Sequence, residues 1–277
     1  MYIEAYKSLF FDKKLTYLKN SVESFVKDLI KESGIMPPQI IFCYEGKNHN
    51  LFEGDILNIP TTFITKKNNC DIEALLFACA NAQYDNSSIL CINYHTAYKT
   101  LLNQEKQYIL QMQEKYTINE KELDELHKKD IENDYEEIQD MKIISGSIIS
   151  LKKLKKNSAK IMASAKYNGP SNAASLSPIF ACAKLLNKLK LNINEVDLFE
   201  VSENCSFTPW AFARAFENAI DKVNKASNNV GLSRFPSLII KNLLNGLYFN
   251  HQQNKKKIGI AASHTSNGQA FAIAIEL

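Results

Sequence analysis

Residues 177–205, SPIFACAKLLNKLKLNINEVDLFEVSENC, decide the fold of this chain. Their first part predicts an amphipathic helix, because apolar residues recur at the spacing of one helix face. These apolar residues are Ala181, Leu185, Leu186 and Leu189. After a short polar turn, residues 196–201 predict a buried strand. A polar and acidic loop, Ser202-Glu203-Asn204, closes the stretch.

Strand and helix patterns alternate along the rest of the chain. In the first half, strands are predicted at 3–10, 39–44, 63–65 and 88–93, and helices at 22–31 and 71–84. In the second half, strands are predicted at 143–151, 159–165, 258–262 and 271–276, and helices at 212–223 and 238–249. This alternation predicts an α/β fold in which helices cover a sheet.

Length and composition indicate a globular protein. The 277 residues suffice for two domains or one large duplicated domain. No apolar run approaches the roughly 20 residues of a membrane span. The start, MYIEAYKSLFFDKK, has an early acid and no apolar segment, unlike a secretory signal peptide. We therefore expect a cytoplasmic protein without membrane contact.

Charge and cysteine usage exclude further classes. Net charge is only +3, and the lysines of 152–156 and 255–257 have no interleaved aromatic residues, so no nucleic-acid partner is predicted. The six cysteines lie mostly within apolar runs and show no CxxC spacing. We therefore expect neither a disulfide framework nor a metal site. We also expect the protein to lie in a reducing compartment.

Two stretches resemble the thiolase family. Residues 177–205 follow its order of a Gly-Pro-led helix, an Asp-Leu-(Phe/Ile)-Glu strand and an Asn-Glu-Ala-Phe catalytic loop, with Glu203 on the family's Glu. Residues 259–276, GIAASHTSNGQAFAIAIE, resemble the family's Gly-Leu-Ala-Thr-x-Cys-x-Gly-Gly-Gly-Gln-Gly ending. The resemblance implies a five-layered αβαβα duplicated sandwich of two mixed sheets, with halves at 1–142 and 143–277. It also implies acetyl-CoA acyltransferase chemistry of fatty acid metabolism.

Residues 97–142 differ from the rest because they are highly charged and helical by propensity. Within them, residues 116–126 resemble a segment of the loop domain that holds coenzyme A in thiolases. The resemblance therefore implies a greatly shortened helical insertion. A solvated helical hairpin is the alternative that the composition favours.

The family's nucleophile position is changed in this chain. Thiolases place a cysteine at a helix N-terminus, where the helix dipole favours the thiolate. The match over residues 60–96 puts Asn68 at that position, and an amide cannot form a thioester. Cys70 lies two residues further, beside Asp71 and Glu73, whose charges raise the pKa of an adjacent thiol. Cys70 is thus either a displaced nucleophile or a cysteine that packs at a helix start.

The other catalytic positions are changed as well. Counting from Asn224 puts Arg234 at the family's histidine, and an arginine cannot serve as a base. His264 stands at the second cysteine, either as a catalytic or as a structural residue. Ser202 replaces the Asn of the oxyanion hole, where it could still hold a water. We expect Arg234 to fill the former cavity and pair with Glu203 or Asp71; the alternative is that it faces water.

Glycine is scarce, with 9 in 277 residues, about 3% against a usual share of about 7%. Thiolase loops need glycines for close approach to the thioester. We therefore predict a thiolase-superfamily pseudoenzyme, impaired or inactive in thiolysis, that binds a ligand or serves as a partner subunit. A homodimer or a heteromer with an active thiolase-fold subunit is expected. The alternative is an acyltransferase or thioester hydrolase with a rearranged Cys70/His264 site. No cofactor is expected, apart from acyl-CoA as a substrate or ligand.

Overall fold

The computed structural model describes most of the chain outside the charged insertion. It covers residues 1–11, 18–45, 54–66, 71–96, 142–203, 207–224, 238–249, 256–265 and 267–277. The predicted helical insertion lies outside the described residues except for Lys142, its last residue. In the described part of the chain, no helix is long and apolar enough to cross a membrane.

Strands and helices form close to where the sequence predicts them. The strands are β1 (Tyr2–Phe11), β2 (Gln39–Glu45), β3 (Thr61–Lys66), β4 (Ile89–Thr96), β5 (Lys142–Ser150), β6 (Ala159–Asn168), β7 (Leu198–Val201), β8 (Ile258–His264) and β9 (Gln269–Glu276). The α-helices are α1 (Leu18–Ser33), α2 (Asp71–Asp85), α3 (Ser177–Leu189), α4 (Phe207–Ala215) and α5 (Ile239–Phe249). The predicted α/β class is therefore confirmed.

The strands form two mixed groups, β1–β5 and β6–β9, which join between β1 and β6. Their order is β3-β2-β4-β5-β1-β6-β9-β8-β7 in a single hydrogen-bonded sheet of nine strands. The junction between β1 and β6 consists of only two antiparallel residue pairs, Tyr2 with Lys160 and Ile3 with Ala159. The two sheets that the resemblance implies are thus separate in packing but continuous in hydrogen bonding.

The two groups repeat one arrangement. In both, an outer helix follows the first strand, and a second helix precedes a strand near the centre of the group. In the first group, β2 lies between β4 and the parallel edge strand β3. In the second group, β7 has β8 on one side. On its other side Val223 forms a parallel bridge with Phe199, at the place that β3 takes in the first group.

Successive side chains of a strand point to opposite faces of the sheet, and they pack into three separate hydrophobic cores. In β2, Phe42 packs with α1 in an outer core, while its neighbour Ile41 packs with α2 and α5 in an inner core. In β9, Ile273 belongs to the same inner core, while Ala272 packs with α3 on the other outer side. The layers are therefore α1, first strand group, α2 with α5, second strand group and α3.

One predicted helix is wrong in its extent. The sequence predicts a helix over 212–223, whereas α4 ends at Ala215 and a 3₁₀ turn, Glu217–Lys222, follows. Phe216 lies between them with φ −122° and ψ 72°, outside the helical region. Its ring packs on Phe212 at 4.9 Å between centroids. The predicted boundary between residues 142 and 143 stays a prediction; the strand that starts there, β5, lies between β4 and β1.

Candidate functional site

The carboxyl ends of β7 and β8 bring two of the predicted site residues together. The strands are parallel and pair from Leu198 with Gly259 to Val201 with Ala262. Ser202 follows β7 and extends this ladder, because its N–H donates to the Ala262 carbonyl at 2.9 Å. His264 is the last residue of β8. Ligand sites of α/β sheets lie at this end of parallel strands.

Ser202 and His264 form a buried hydrogen-bonded pair. The Ser202 Oγ lies 3.3 Å from the His264 Nδ1. The side chains are almost shielded from water, with 0% of Ser202 and 2% of His264 exposed. A hydroxyl bonded to an imidazole can be activated as a nucleophile, and it can equally fix the ring in one orientation. The pair has the contacts for either role.

Asn224 holds the end of β7 in place. Its side-chain Oδ1 accepts from the Val201 N–H at 2.7 Å, and its Nδ2 donates to the Val201 carbonyl at 3.1 Å. Its own N–H donates to the Phe199 carbonyl at 2.8 Å. These three bonds let Asn224 replace a neighbouring strand, so the position of Ser202 is fixed from the side opposite β8.

A tight turn follows His264. The Thr265 N–H donates to the Gln269 carbonyl, and the Gly268 N–H donates to the Thr265 carbonyl. Gly268 has φ +84°, a conformation that favours glycine. Its carbonyl accepts from the Gly169 N–H at 2.9 Å, so the turn is bound to the loop after β6.

A buried carboxylate lies at the N-terminus of α2. The Tyr6 hydroxyl donates to the Asp71 Oδ2 at 2.7 Å, and the Ser145 Oγ donates to the Oδ1 at 3.2 Å. Burial raises the pKa of the Asp71 carboxyl to about 7, although hydrogen bonds from Tyr6, Ser145 and the Ile240 backbone lower it. Burial and the charge of Asp71 also raise the pKa of Tyr6. Asp71 can therefore change its charge near neutral pH.

Asp71 also links the two central helices. Ile240 lies in the first turn of α5, and its backbone hydrogen bond to Asp71 brings the N-termini of α2 and α5 together. Because α5 runs back to the start of β8, its N-terminus lies at the carboxyl end of that strand. The acid and the Ser202–His264 pair therefore lie at the same end of the layers.

The other predicted residues have different outcomes. Glu203 follows Ser202 directly and is half-buried. Asn68, Cys70 and Arg234 lie outside the described residues, so the predicted pairing of Arg234 stays a prediction. Tyr6 and Ser145 were missed as site residues. Only the acid at the start of a predicted helix pointed to Asp71, because its partners are far away in the sequence.

The comparisons with known proteins agree with this architecture. Residues 155–277 match the model of the thiolase C-terminal domain. The acetyl-CoA acetyltransferase of Bacillus anthracis superposes with a TM-score of 0.74 at 16% identity, covering 99% of this chain and 98% of that one. The Acat5 thiolase of Ascaris suum, solved with coenzyme A, gives 0.71 at 13% identity, with 99% of each chain covered. Human mitochondrial 3-ketoacyl-CoA thiolase gives 0.69 at 14% identity, with 99% and 98% covered.

No curated protein sequence matches the chain significantly. The sequence identities to the solved structures are low, so the superpositions show the fold alone. The match to the family model relates the second half of the chain to thiolases. The superpositions agree with the layered architecture. This chain therefore has the thiolase fold, and its residues 155–277 match the model of the thiolase C-terminal domain.

Proposed function

We propose that this thiolase-superfamily protein is impaired or inactive in thiolysis and acts as a ligand-binding or partner subunit. The observation that supports this best is the buried Ser202–His264 pair. The resemblance puts an asparagine and a cysteine at these positions. A histidine held at Nδ1 by a serine does not supply the thiol that thiolases use to move a proton.

Asp71 adds to this argument. A thiolate at the start of α2 would need the helix dipole and nearby N–H groups to be available. The buried carboxyl of Asp71 lies in this first turn and becomes negative as the pH rises through about 7. A negative charge beside Cys70 disfavours its thiolate. The start of α2 is therefore poorly suited to a cysteine nucleophile.

A second candidate function is acyl transfer or thioester hydrolysis on acyl-CoA. The specific observation that favours it is that the Ser202 Oγ lies at hydrogen-bond distance from the His264 ring. In this mechanism His264 Nδ1 takes the hydroxyl proton as Ser202 Oγ attacks the thioester carbonyl carbon. The C–S bond then breaks, and His264 returns the proton to the sulfur of the departing coenzyme A, which leaves an acyl ester on Ser202. The alternative nucleophile is Cys70, for which His264 would have to act through Nε2.

Assays of the purified full chain separate the two functions. We expect thiolysis of acetoacetyl-CoA to be absent or many orders below an ordinary turnover of about 10 per second. After incubation with acetyl-CoA, mass spectrometry should find no acetyl group on Cys70 or Ser202. An acetyl adduct that disappears in Ser202→Ala or Cys70→Ser, but persists in the exposed control Ser171→Ala, would support the second candidate instead.

Binding of coenzyme A should be weak, because the shortened insertion that the resemblance implies would leave little surface to hold the nucleotide. Calorimetry with free coenzyme A is the measurement, and a sub-micromolar dissociation constant would contradict the proposal. The lysines of 152–156 would then be the first phosphate ligands to replace.

The partner role extends the proposal to assembly. We propose a homodimer, or a heteromer with an active thiolase-fold subunit, in a reducing cytoplasm, without nucleic-acid or membrane partners. Analytical ultracentrifugation tests the homodimer, and co-purification with a co-expressed active thiolase tests the heteromer.

A further inference from the structure

Beyond its first residues, one edge of β6 has no neighbouring strand among the described residues. β1 pairs with β6 only at Lys160 and Ala159. The last contact is the Ile161 N–H, which donates to the Met1 carbonyl. From Ala163 to Asn168, β6 pairs with β9 on one side. On the other side, no strand of the described chain pairs with it.

Two lysines of α3 occupy this edge. The Lys184 Nζ donates to the Lys166 carbonyl at 3.2 Å, and the Lys188 Nζ donates to the Ser164 carbonyl at 3.2 Å. Carbonyls two residues apart point to the same edge of a strand. Within the described residues neither lysine forms an ion pair, so both charges have only neutral partners.

A groove runs between the edge and α3. Its volume is about 450 Å³, and its lining consists of Ser164, Ala165, Lys166, Lys184, Asn187 and Lys188. Tyr167, which follows the lining residue Lys166, stacks its ring on Phe180 with centroids 4.9 Å apart. Phe180 is 47% exposed. The groove thus combines positive charge, an aromatic surface and backbone carbonyls that are bound only by lysine side chains.

We propose that this edge of β6 binds an extended acidic segment of a partner protein, which adds a strand to the sheet. Main-chain hydrogen bonds to residues 164–168 would provide affinity, as in other cases of strand addition. Acidic side chains of the partner would form ion pairs with Lys184 and Lys188. The carbonyls of Lys166 and Ser164, which these lysines now bind, would then be available to the added strand. The Tyr167–Phe180 pair would receive an apolar side chain.

The charges decide against other occupants. A second copy pairing through the same edge would place its own two lysines against these two, and like charges disfavour that contact. A small anion would use the lysines but not the row of backbone groups. This inference goes beyond the site at the carboxyl ends of β7 and β8, and it holds whether or not thiolysis is impaired.

A fluorescent peptide about seven residues long, to match the edge, tests the proposal by anisotropy. Its alternate positions that face α3 carry Glu and one terminal Val, and Thr stands at the positions between them. We expect saturable binding that weakens as salt rises. The double variant Lys184→Glu/Lys188→Glu should bind about tenfold more weakly. The control Lys153→Glu/Lys156→Glu changes the net charge equally at exposed lysines outside the groove and should bind like the wild type.

N-methylated peptides test the strand geometry. Only alternate N–H groups of an added strand face the edge. Methylating one alternate set should therefore abolish binding, and methylating the other set should leave it. No binding of the parent peptide would overturn the proposal. Equal binding of both methylated peptides would also overturn it and would identify an anion site instead.

Discussion

The buried acid Asp71 makes the stability of this protein depend on pH in an unusual direction. The pKa of its carboxyl is about 7 in the folded chain, against an ordinary value of 3.8. At a pH between these two pKa values, the native state holds a proton that the unfolded state releases. The contribution of this group to stability is therefore fully present below about pH 4 and is lost as the pH rises through about 7.

Replacing Asp71 with Asn should remove this dependence, because the amide keeps an acceptor oxygen but cannot ionise. The free energy of unfolding of the wild type, relative to Asp71→Asn, should fall by up to about 4 kcal/mol between pH 4 and pH 7.5. Urea denaturation at several pH values measures it. The control Asp28→Asn removes an exposed carboxylate that lies 3.4 Å from the Lys7 Nζ. Parallel curves for wild type and Asp71→Asn would contradict the prediction.

At the residue scale, the sequence predicted only part of the site. The resemblance pointed to Ser202 and His264, because their motifs keep the family's spacing. It could not show that these residues bond to each other, since they lie 62 positions apart. It also missed Tyr6 and Ser145, because a hydroxyl on a strand becomes a site residue only through the folded contact with Asp71.

Among the elements, the turn between β8 and β9 depends most strictly on one residue. A Cβ at Gly268 would meet the carbonyl oxygen of Gly169 and would lie 2.7 Å from that of Pro170. Both are backbone atoms, so a flexible side chain cannot give way. The positive φ of +84° adds a cost for any other residue.

Gly268→Ala should therefore lower the free energy of unfolding by about 3 kcal/mol or more, from the left-handed conformation and the clash together. Gly34→Ala is the matched control, since Gly34 has φ +66° but nothing within 4 Å of an added Cβ. It should cost only about 1–2 kcal/mol. Urea denaturation compares the two. Equal losses would show that the loop after β6 moves to admit the methyl group.

The connection between β5 and β6 is fixed to β1 by Glu4. The carboxylate accepts from the Ser150 Oγ at 2.6 Å, from the Ser158 Oγ, and from the N–H groups of Leu154 and Lys155, each at 3.1 Å. This connection joins the two strand groups. A single buried carboxylate thus orders the chain at the point where the repeat begins.

Glu4→Ala should cost about 3 kcal/mol, because it leaves two backbone N–H groups without their acceptor. Glu4→Gln keeps one acceptor oxygen and should cost less. The exposed Glu217→Ala is the control and should change the free energy of unfolding by about 0.5 kcal/mol or less. The same denaturation measurement ranks the three variants. A loss in Glu4→Ala no larger than in the control would contradict the anchoring role.

The elements themselves were largely predictable. Helices α1, α2, α3 and α5 and most strands begin within a few residues of their predicted positions, because their apolar patterns are clear. The helix predicted over 212–223 failed at Phe216. An apolar residue fits the helical pattern there, but the φ of −122° and ψ of 72° at Phe216 lie outside the helical region and end the helix.

For the whole molecule, the layers followed from the resemblance but their junction did not. Two residue pairs between β1 and β6 join the strand groups. So short a pairing leaves no pattern in the sequence. The groups are held together mainly by their shared inner core, in which α2 and α5 pack between β2 and β4 on one side and β8 and β9 on the other.

This shared core should make the two halves unfold together. Leu75 of α2 belongs to the first half, is 2% exposed and lies in the inner core beside residues of α5 and β9. Leu75→Ala should lower the free energy of unfolding by about 2–5 kcal/mol. The single tryptophan, Trp210 in α4, reports on the second half. The urea midpoint of its fluorescence transition should fall by the same amount as that of the circular dichroism of the whole chain.

Leu154→Ala, at a side chain that is 54% exposed, is the control and should leave both transitions in place. A Trp210 transition that stays at its wild-type midpoint in Leu75→Ala, while the dichroism splits into two steps, would show that the halves are independent domains. The inner core would then be an interface between two folded units, and the repeat would be a pair of domains and not one cooperative layer structure.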